Sequence, residues 1–349
     1  MELLATVVAS VLVLLLLWRW LEARVRGSWG RREFSLDDKV VVITGAANGI
    51  GRRLAQKVFC ETRCVTLVLL DIDKKGLQKL QIELEQSKQE RHQLTQNVFV
   101  YECNVADYGA VSACMARVVH DVAPKHIGVL VNNAGEKIVC YRLLRVVMGR
   151  SLEHLTPKQI QKTFAVNTFA HFWTVKTAMP SMKKASEALL VTVSSVMGMT
   201  SSARLTDYCA SKAAVNAFHE ALRLELWRDN ITSIRTLLIC PAAVDTNMFA
   251  GVLAANEWAL KISRFCIPML AESAVADTIY RAMRRGDDLV VSCASGWRGI
   301  ALSWAPAISR LLPVPLYDVV VRLGGGLHGM DTFVGRNSTR EQDGKDKYS

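Results

Sequence analysis

No C-x-x-C, no H-E-x-x-H and no internal repeat occurs in the 349 residues. The nine cysteines lie mostly within apolar stretches and read as buried thiols of a reducing compartment rather than as disulfides. The seven histidines stand apart from one another, so no metal site is expected. Clustered basic charge is also scarce. The net charge is +11, yet outside Arg19 to Arg32 and short pairs such as Lys183-Lys184 the basic residues are scattered. That pattern speaks against a nucleic-acid groove and suits an anionic membrane surface.

From Leu3 to Trp18 the chain carries no charge, and Arg19, Arg24, Arg26, Arg31 and Arg32 follow. Sixteen helical residues span about 24 Å, and including Trp20 and Leu21, with Arg19 snorkelling, reaches the roughly 27 Å of an endoplasmic-reticulum hydrocarbon core. A cleaved signal peptide would carry its charge before the apolar run and a small-x-small site after it, and both are missing. Residues 1–21 are therefore expected to be a membrane anchor and 22–37 a basic linker. The arginines after the span predict a catalytic domain facing the cytosol. Two sequons, at Asn230 and Asn337, offer a test of that topology.

Beyond the linker, short runs rich in Val, Ile and Leu alternate with helical patterns. Strands are expected at 39–44, 65–71, 97–103, 128–132, 188–194, 233–240 and 288–293, and helices at about 49–60, 74–90, 107–121, 157–181, 208–229 and 271–285. Near-continuous apolar strands fit a parallel sheet buried on both faces. The alternation predicts an α/β domain with a doubly wound parallel sheet over residues 38–293. A tail, 294–330, is apolar but interrupted by Pro306, Pro313 and Pro315. It is too broken to span a bilayer and is expected to cover a pocket or lie in the membrane interface. Residues 331–349 are polar and read as disordered.

The first strand runs into "TGAANGIG", Thr44 to Gly51, and then a helix. Glycines at 45, 49 and 51 allow a tight turn in which backbone N–H groups approach a pyrophosphate, with Thr44, Asn48 and Ile50 framing it. The spacing is G-x-x-x-G-x-G, which alone is also compatible with plain turn chemistry. The second strand ends at Asp71, where a carboxylate can accept both ribose hydroxyls and repel a 2′-phosphate. NAD is thus the expected cofactor. Arg52, Lys74 and Lys75 keep NADP as the alternative.

In "DYCASKAAVNAF", Tyr208 stands one helical turn before Lys212. Chance alone yields roughly 0.3 such pairs in a chain of this composition. Ser195, thirteen residues upstream at the end of an apolar strand, lowers that expectation to roughly 0.02. A free phenol titrates near pH 10 and is a poor base. A neighbouring ammonium favours the phenolate, so Tyr208 is the expected acid/base, with Lys212 lowering its pKa and Ser195 hydrogen-bonding the substrate oxygen. An amphipathic helix with a snorkelling lysine is the alternative for the pair alone.

Taken together, "TGAANGIG", "NNAG" (Asn132 to Gly135), Ser195 and Tyr208-Cys-Ala-Ser-Lys212 resemble the short-chain dehydrogenase/reductase family over roughly residues 38–285. The resemblance implies a Rossmann fold. It implies that Asn167 completes a proton relay with the lysine and a water, that Asn133, Ala134 and Pro241 line the cofactor, and that Asn104 and Val105 flank the adenine. Relatives often have aspartate where Asn104 stands. The stretches "HFWTVKTAMPSM" and "CPAAVDTNMF" look most like the membrane-anchored branch of all-trans-retinol and 17β-hydroxysteroid dehydrogenases. That branch implies a lipophilic alcohol or carbonyl substrate, the endoplasmic reticulum membrane or lipid droplets, and a homodimer. Two departures are Ala242 after Pro241 and an insertion at 136–149. A lipid- or nucleotide-binding protein that keeps the fold without turnover is the reading from another class.

Overall fold

The computed structural model describes residues 33–90, 96–135, 151–245, 269–323 and 326–327. The expected anchor, most of the linker, the 136–149 insertion and the polar C-terminus lie outside these residues. Among the described residues no helix is long and apolar enough to cross a membrane.

Seven parallel strands form the central sheet: β1 (Val40–Thr44), β2 (Thr66–Asp71), β3 (Asn97–Glu102), β4 (Ile127–Asn132), β5 (Ala188–Val193), β6 (Ile234–Pro241) and a last strand, Leu289–Ser292, labelled β9 below. The spatial order is β3-β2-β1-β4-β5-β6-β9. In chain order the helices are α1 (Gly49–Glu61), α2 (Lys74–Glu90), α3 (Tyr108–Asp121), α4 (Pro157–Phe164), α5 (Ala170–Met182), α6 (Thr206–Arg228), α7 (Glu272–Arg285), α8 (Gly296–Arg310) and α9 (Val314–Leu323). A short parallel ladder, β7 (Val244–Asp245) with β8 (Leu270–Ala271), joins the two ends of the stretch 246–268.

Each strand of the sheet divides its side chains between two cores. Val41 and Ile43 face α1, α2 and α7 through Leu54, Leu77 and Ile279. Val40 and Val42 face α3, α5 and α6 through Met115, Val175 and Leu226. Burial on both faces is why the strands read as unbroken apolar runs, and all seven expected strands are present within one or two residues. Helix starts follow local chemistry as well. Thr156 and Gln159 form a capping box ahead of Pro157, and Gly286 closes α7 in the left-handed region.

The expected helix over 157–181 is interrupted. Ala165 to Phe169 form a single π turn between α4 and α5, which re-aims the residues it contains, Asn167 among them. The tail also differs from the expectation of a broken stretch, because α8 accommodates Pro306 and α9 carries Pro315 in its first turn, where its missing N–H is not needed.

Candidate active site

The chain winds outward from β1 to β3, then returns to β4 on the other side, so strand order reverses between β1 and β4. A crevice at the carboxyl ends of the strands is the usual ligand site at such a reversal. Thr44, Asp71, Asn133, Ser195 and Pro241 all sit at or just past those ends.

The turn after β1 is tied to the turn after β4. Thr44 Oγ1 accepts from the backbone N–H groups of Asn133 (3.1 Å) and Ala134 (2.9 Å) and donates to the Val131 carbonyl. Asn133 Nδ2 returns a bond to the Thr44 carbonyl at 3.0 Å. Gly45 lies at φ +66°, and a Cβ there would stand 2.9 Å from Ala134 Cα. A Cβ on Gly51 would collide with the Gly45 carbonyl oxygen. The turn is therefore closed to side chains, as a cradle for a pyrophosphate must be. Helix α1 opens on this turn with no acid in its first turn and no side-chain cap from Asn48, so its first N–H groups remain for an anion. Ile50 packs against the core beneath. These residues fit a dinucleotide.

Asp71 ends β2 and is buried. Its Oδ2 accepts from Ala47 N at 2.9 Å and its Oδ1 from Asp73 N at 3.0 Å. The carboxylate thus shapes the glycine turn before it meets any ribose. Arg52, which kept NADP open, is paired with Glu83 on α2, and Lys74 lies 3.7 Å from Glu102. Asn104 uses its Oδ1 to accept from Ala106 N at 3.1 Å, and Val105 is buried beside it.

On the other side of the reversal, Ser195 caps a 3₁₀ turn, Val196–Gly198, accepting from Met197 N at 3.1 Å. Its hydroxyl also hydrogen-bonds the Tyr208 phenol. Tyr208 and Lys212 share the buried face of α6. Asn167 Nδ2 donates to Ser211 Oγ at 3.2 Å, and Ser211 Oγ donates to the Tyr208 carbonyl at 2.8 Å. The Cβ position of Gly135 lies 3.8 Å from Asn167 Oδ1 and 3.9 Å from Lys212 Nζ, so both groups converge on the "NNAG" turn. The fold thus brings all four expected catalytic residues together beyond the carboxyl ends of β4 and β5. Pro241 closes β6 nearby, and Ala242 N donates to the Ser292 carbonyl at 3.0 Å.

Burial dominates the electrostatics here. It pushes the Tyr208 phenol up to about 12, with the Ser195 hydrogen bond pulling the other way. It brings Lys212 down to about 8, against the influence of the Cys240 thiol, itself pushed up to about 12 by burial. The expected lowering of the tyrosine is therefore not a property of these side chains alone, since desolvation outweighs what surrounds the phenol.

Sequence reading missed three features. His171 is fully buried behind Lys212, and its spacing of four from Asn167, one helical face, was the available signal. The Cys103 and Cys114 thiols are hydrogen-bonded to each other, which their sequence separation conceals. The tail reaches the loop between Ser195 and Tyr208: Arg310 Nε donates to the Met199 carbonyl at 2.8 Å, and Ser201 N donates to Tyr317 Oη at 3.3 Å. Between tail and catalytic helix lies a cavity of about 280 Å³, lined by Met197, Gly198, Thr206, Cys209 and Arg310 among others. Neither Ser195 nor Tyr208 lines it.

A doubly wound sheet with a dinucleotide cradle at its reversal and a Ser-Tyr-Lys-Asn group beside it defines a nicotinamide-dependent oxidoreductase. A family model described as short chain dehydrogenase matches residues 39–257. The chain belongs to the short-chain dehydrogenase family. It is 34% identical to retinol dehydrogenase 10-B of Danio rerio over 257 residues, 70% of this chain and 72% of that protein. Against retinol dehydrogenase 10 of Rattus norvegicus it is 35% identical over 259 residues, 69% of this chain and 72% of that protein. Short-chain dehydrogenase/reductase family 16C member 6 of Bos taurus is 32% identical over 253 residues, 72% of each. Among solved structures, a short-chain dehydrogenase/reductase from Burkholderia phymatum in complex with NAD superposes with a TM-score of 0.58 at 27% identity, covering 73% of this chain and 90% of that one. An alcohol dehydrogenase from Thermococcus sibiricus shares the fold, with a TM-score of 0.57 at 22% identity over 73% of this chain and 94% of that one.

Proposed function

We propose that the protein interconverts a lipophilic alcohol and its carbonyl with NAD, and that all-trans-retinol is the alcohol. What carries this reading is the meeting of Ser195, Tyr208, Lys212 and Asn167 beside the cradle at the sheet reversal. The similarity to retinol dehydrogenase 10 supports the choice of retinol. A bound nicotinamide cofactor supplies the hydride acceptor, or the donor in reduction.

Ser195 holds the substrate oxygen by a hydrogen bond and keeps it within reach of Tyr208. Tyr208 takes the hydroxyl proton at its phenolate oxygen during oxidation and returns it during reduction. Bringing a phenol from about 12 to neutrality requires about 7 kcal/mol of differential stabilisation. Lys212 contributes part of this once its ammonium faces the phenolate in a dry site. Asn167 orients the relay through Ser211 and its own amide. Asp71 receives the ribose hydroxyls of NAD and repels a 2′-phosphate, and the pairing of Arg52 with Glu83 removes one competing cation. Thr44, Gly45, Asn48, Gly49, Ile50 and Gly51 hold the pyrophosphate, Asn104 and Val105 the adenine, and Asn133, Ala134 and Pro241 the nicotinamide side.

The same reading has residues 1–21 anchor the chain in the endoplasmic reticulum membrane or at lipid droplets, with the domain facing the cytosol. Exposed Leu311, Val314, Leu316 and Val319 on the tail support contact with lipid. Exposed Phe169, Phe172, Leu224 and Trp227 on the π turn, α5 and α6 support a homodimer. A 17β-hydroxysteroid or a long-chain alcohol is the second reading, favoured only by the shared branch.

The test is turnover of retinol, steroid and long-chain alcohol panels with NAD and with NADP, by membranes carrying the wild type or Tyr208→Phe. Retinol oxidation with NAD, lost in Tyr208→Phe by about a hundredfold or more, is the expected result. Equal activity of the two proteins would sink the mechanism, and activity on steroids alone would sink only the substrate. Glycosylation at Asn230 would reverse the topology.

A further inference from the structure

Two of the described cysteines are in contact. Cys103 directly follows β3, Cys114 lies on α3, and their thiols hydrogen-bond each other. Both are buried in the apolar cluster that holds Tyr101, Val105, Val111 and Met115. A single buried thiol packs as a small apolar group and invites nothing more. Two thiols in hydrogen-bond contact differ, because they can join with little movement, whereas cysteines whose Cα atoms stand more than about 7 Å apart cannot.

The pair is chemically uneven. Cys103 is the donor, and its pKa is raised by that hydrogen bond, then by burial, with Asp107 adding. Cys114 is held below the ordinary thiol value by the bond from Cys103, against burial, with the Arg117 guanidinium one turn along α3 adding to the effect. Arg117 in turn lies over the Tyr101 ring, 5.4 Å from its centroid. By contrast, burial holds the thiols of Cys209, Cys240 and Cys293 up. A thiolate favoured by a cation, with a second thiol in reach, is the arrangement that peroxide oxidises and a neighbouring cysteine resolves. Exposures of 4% for Cys103 and 7% for Cys114 admit a small neutral oxidant and exclude a bulky one.

The pair also brackets one part of the crevice. Cys103 N donates to the Asp71 carbonyl at 2.9 Å, beside the carboxylate that shapes the glycine turn. Asn104 and Val105 come next in the chain. The turn they open is held by Asp107 N on the Asn104 carbonyl (3.1 Å) and by Ala106 N on Asn104 Oδ1 (3.1 Å). Only residues 104–113 separate the two cysteines along the chain. Drawing Cys103 toward α3 therefore pulls on this turn and on the end of β2 together.

We propose that Cys103 and Cys114 form a peroxide-sensitive dithiol whose disulfide weakens the hold on the adenosine end of NAD. This rests on the placement of Asn104 and Val105 at the adenine given above. The Cys114 thiolate attacks one oxygen of hydrogen peroxide, the O–O bond breaks, and a sulfenic acid and hydroxide result. The Cys103 sulfur then displaces the sulfenic oxygen, which leaves as water with the Cys103 thiol proton. The hydroxide of the first step recombines with the proton that Cys114 had released. Two thiols are thus oxidised to one disulfide and one peroxide is reduced to two waters. A dithiol reductant reverses the change by exchange.

Full-length wild type, Cys114→Ser and Cys103→Ser are treated with hydrogen peroxide and then with dithiothreitol. Peptide mass spectrometry, after alkylation of the remaining thiols, should find residues 103 and 114 joined in the oxidised wild type and separate again after dithiothreitol. NAD binding, titrated by fluorescence, should weaken about fivefold or more on oxidation, and KM for NAD should rise with it while kcat at saturating NAD holds within about twofold. Both serine variants should bind NAD equally well before and after peroxide. Oxidised wild type without the Cys103–Cys114 disulfide overturns the proposal, and this reading needs no variant to fold. So does a disulfide that leaves NAD binding unchanged, or an equal loss in the serine variants, which assigns the damage to another thiol. A reduced wild type that binds no NAD brings down the cofactor reading and this proposal together, whereas NAD binding that is indifferent to peroxide overturns this proposal alone.

Discussion

At the β1–β2 end of the crevice, Thr44, Asp71 and Asn133 commit their side chains to neighbouring backbone. At the β5–β6 end, the phenol of Tyr208 is pushed up, the ammonium of Lys212 is pushed down, and the two ring nitrogens of His171 have no hydrogen-bond partner among the described residues. The first end is finished by the protein itself and holds its shape before any ligand arrives. The second is held in an electrostatic state that burial opposes. Binding groups can be preorganised at little cost because their polar atoms are already satisfied, whereas groups that must move a proton are ionisable and buried, and burial opposes the charge each must carry in the reaction.

Replacing Lys212 by Met tests the strained end most directly. Turnover is expected to fall about a thousandfold, while the cofactor-free protein becomes more stable at pH 7. The folded pKa of Lys212 is about 8, below its ordinary 10.5. Below pH 8 the ammonium is charged in both states and its burial penalty, about 3 kcal/mol, is fully present. As pH rises from 8 to 10.5 the unfolded chain holds the extra proton and the wild type gains stability. Thermal melts of the two proteins should therefore differ most at neutral pH and converge near pH 10.5. A destabilised Lys212→Met at pH 7 would remove the contrast.

At the satisfied end the expected signs reverse. Gly51→Ala drives a methyl into the Gly45 carbonyl and should destabilise by about 1–3 kcal/mol, with loss of NAD binding in a fluorescence titration. Asp71→Asn keeps one acceptor for Ala47 or Asp73 and removes the charge. Its preference for NAD over NADP, read from the ratio of kcat/KM, should narrow about tenfold, or by ~1.4 kcal/mol. The smallest effect belongs to the tail. Arg310→Ala loses one hydrogen bond to Met199 and should lower stability by about 1 kcal/mol, raising KM for a lipophilic alcohol while leaving KM for NAD unchanged.

The sequence made the first end more legible than the second. Glycines at 45, 49 and 51 after an apolar strand, and an acid closing the next strand, announce a turn whose chemistry is local. The sheet was legible because strands buried on both faces cannot alternate. Asn167 was reachable only by resemblance, because the π turn that aims it leaves no mark in residue type. His171 was set aside as an isolated histidine, since burial of a polar ring is a property of three packed elements. The tail helices were hidden by prolines: Pro315 stands in the first turn of α9, and Pro306 lies buried within α8. The raised phenol was missed because spacing reports the neighbouring lysine but not the loss of water around both groups.

The two-residue ladder of Val244–Asp245 with Leu270–Ala271 fastens both ends of residues 246–268 to the domain. A stretch clamped at its own base is a cassette. Its length or sequence can be exchanged with that of another family member at small entropic cost, about 0.6 kcal/mol for each doubling. The sheet, the cradle and the Tyr208 helix lie outside the ladder and need not be redesigned for such an exchange.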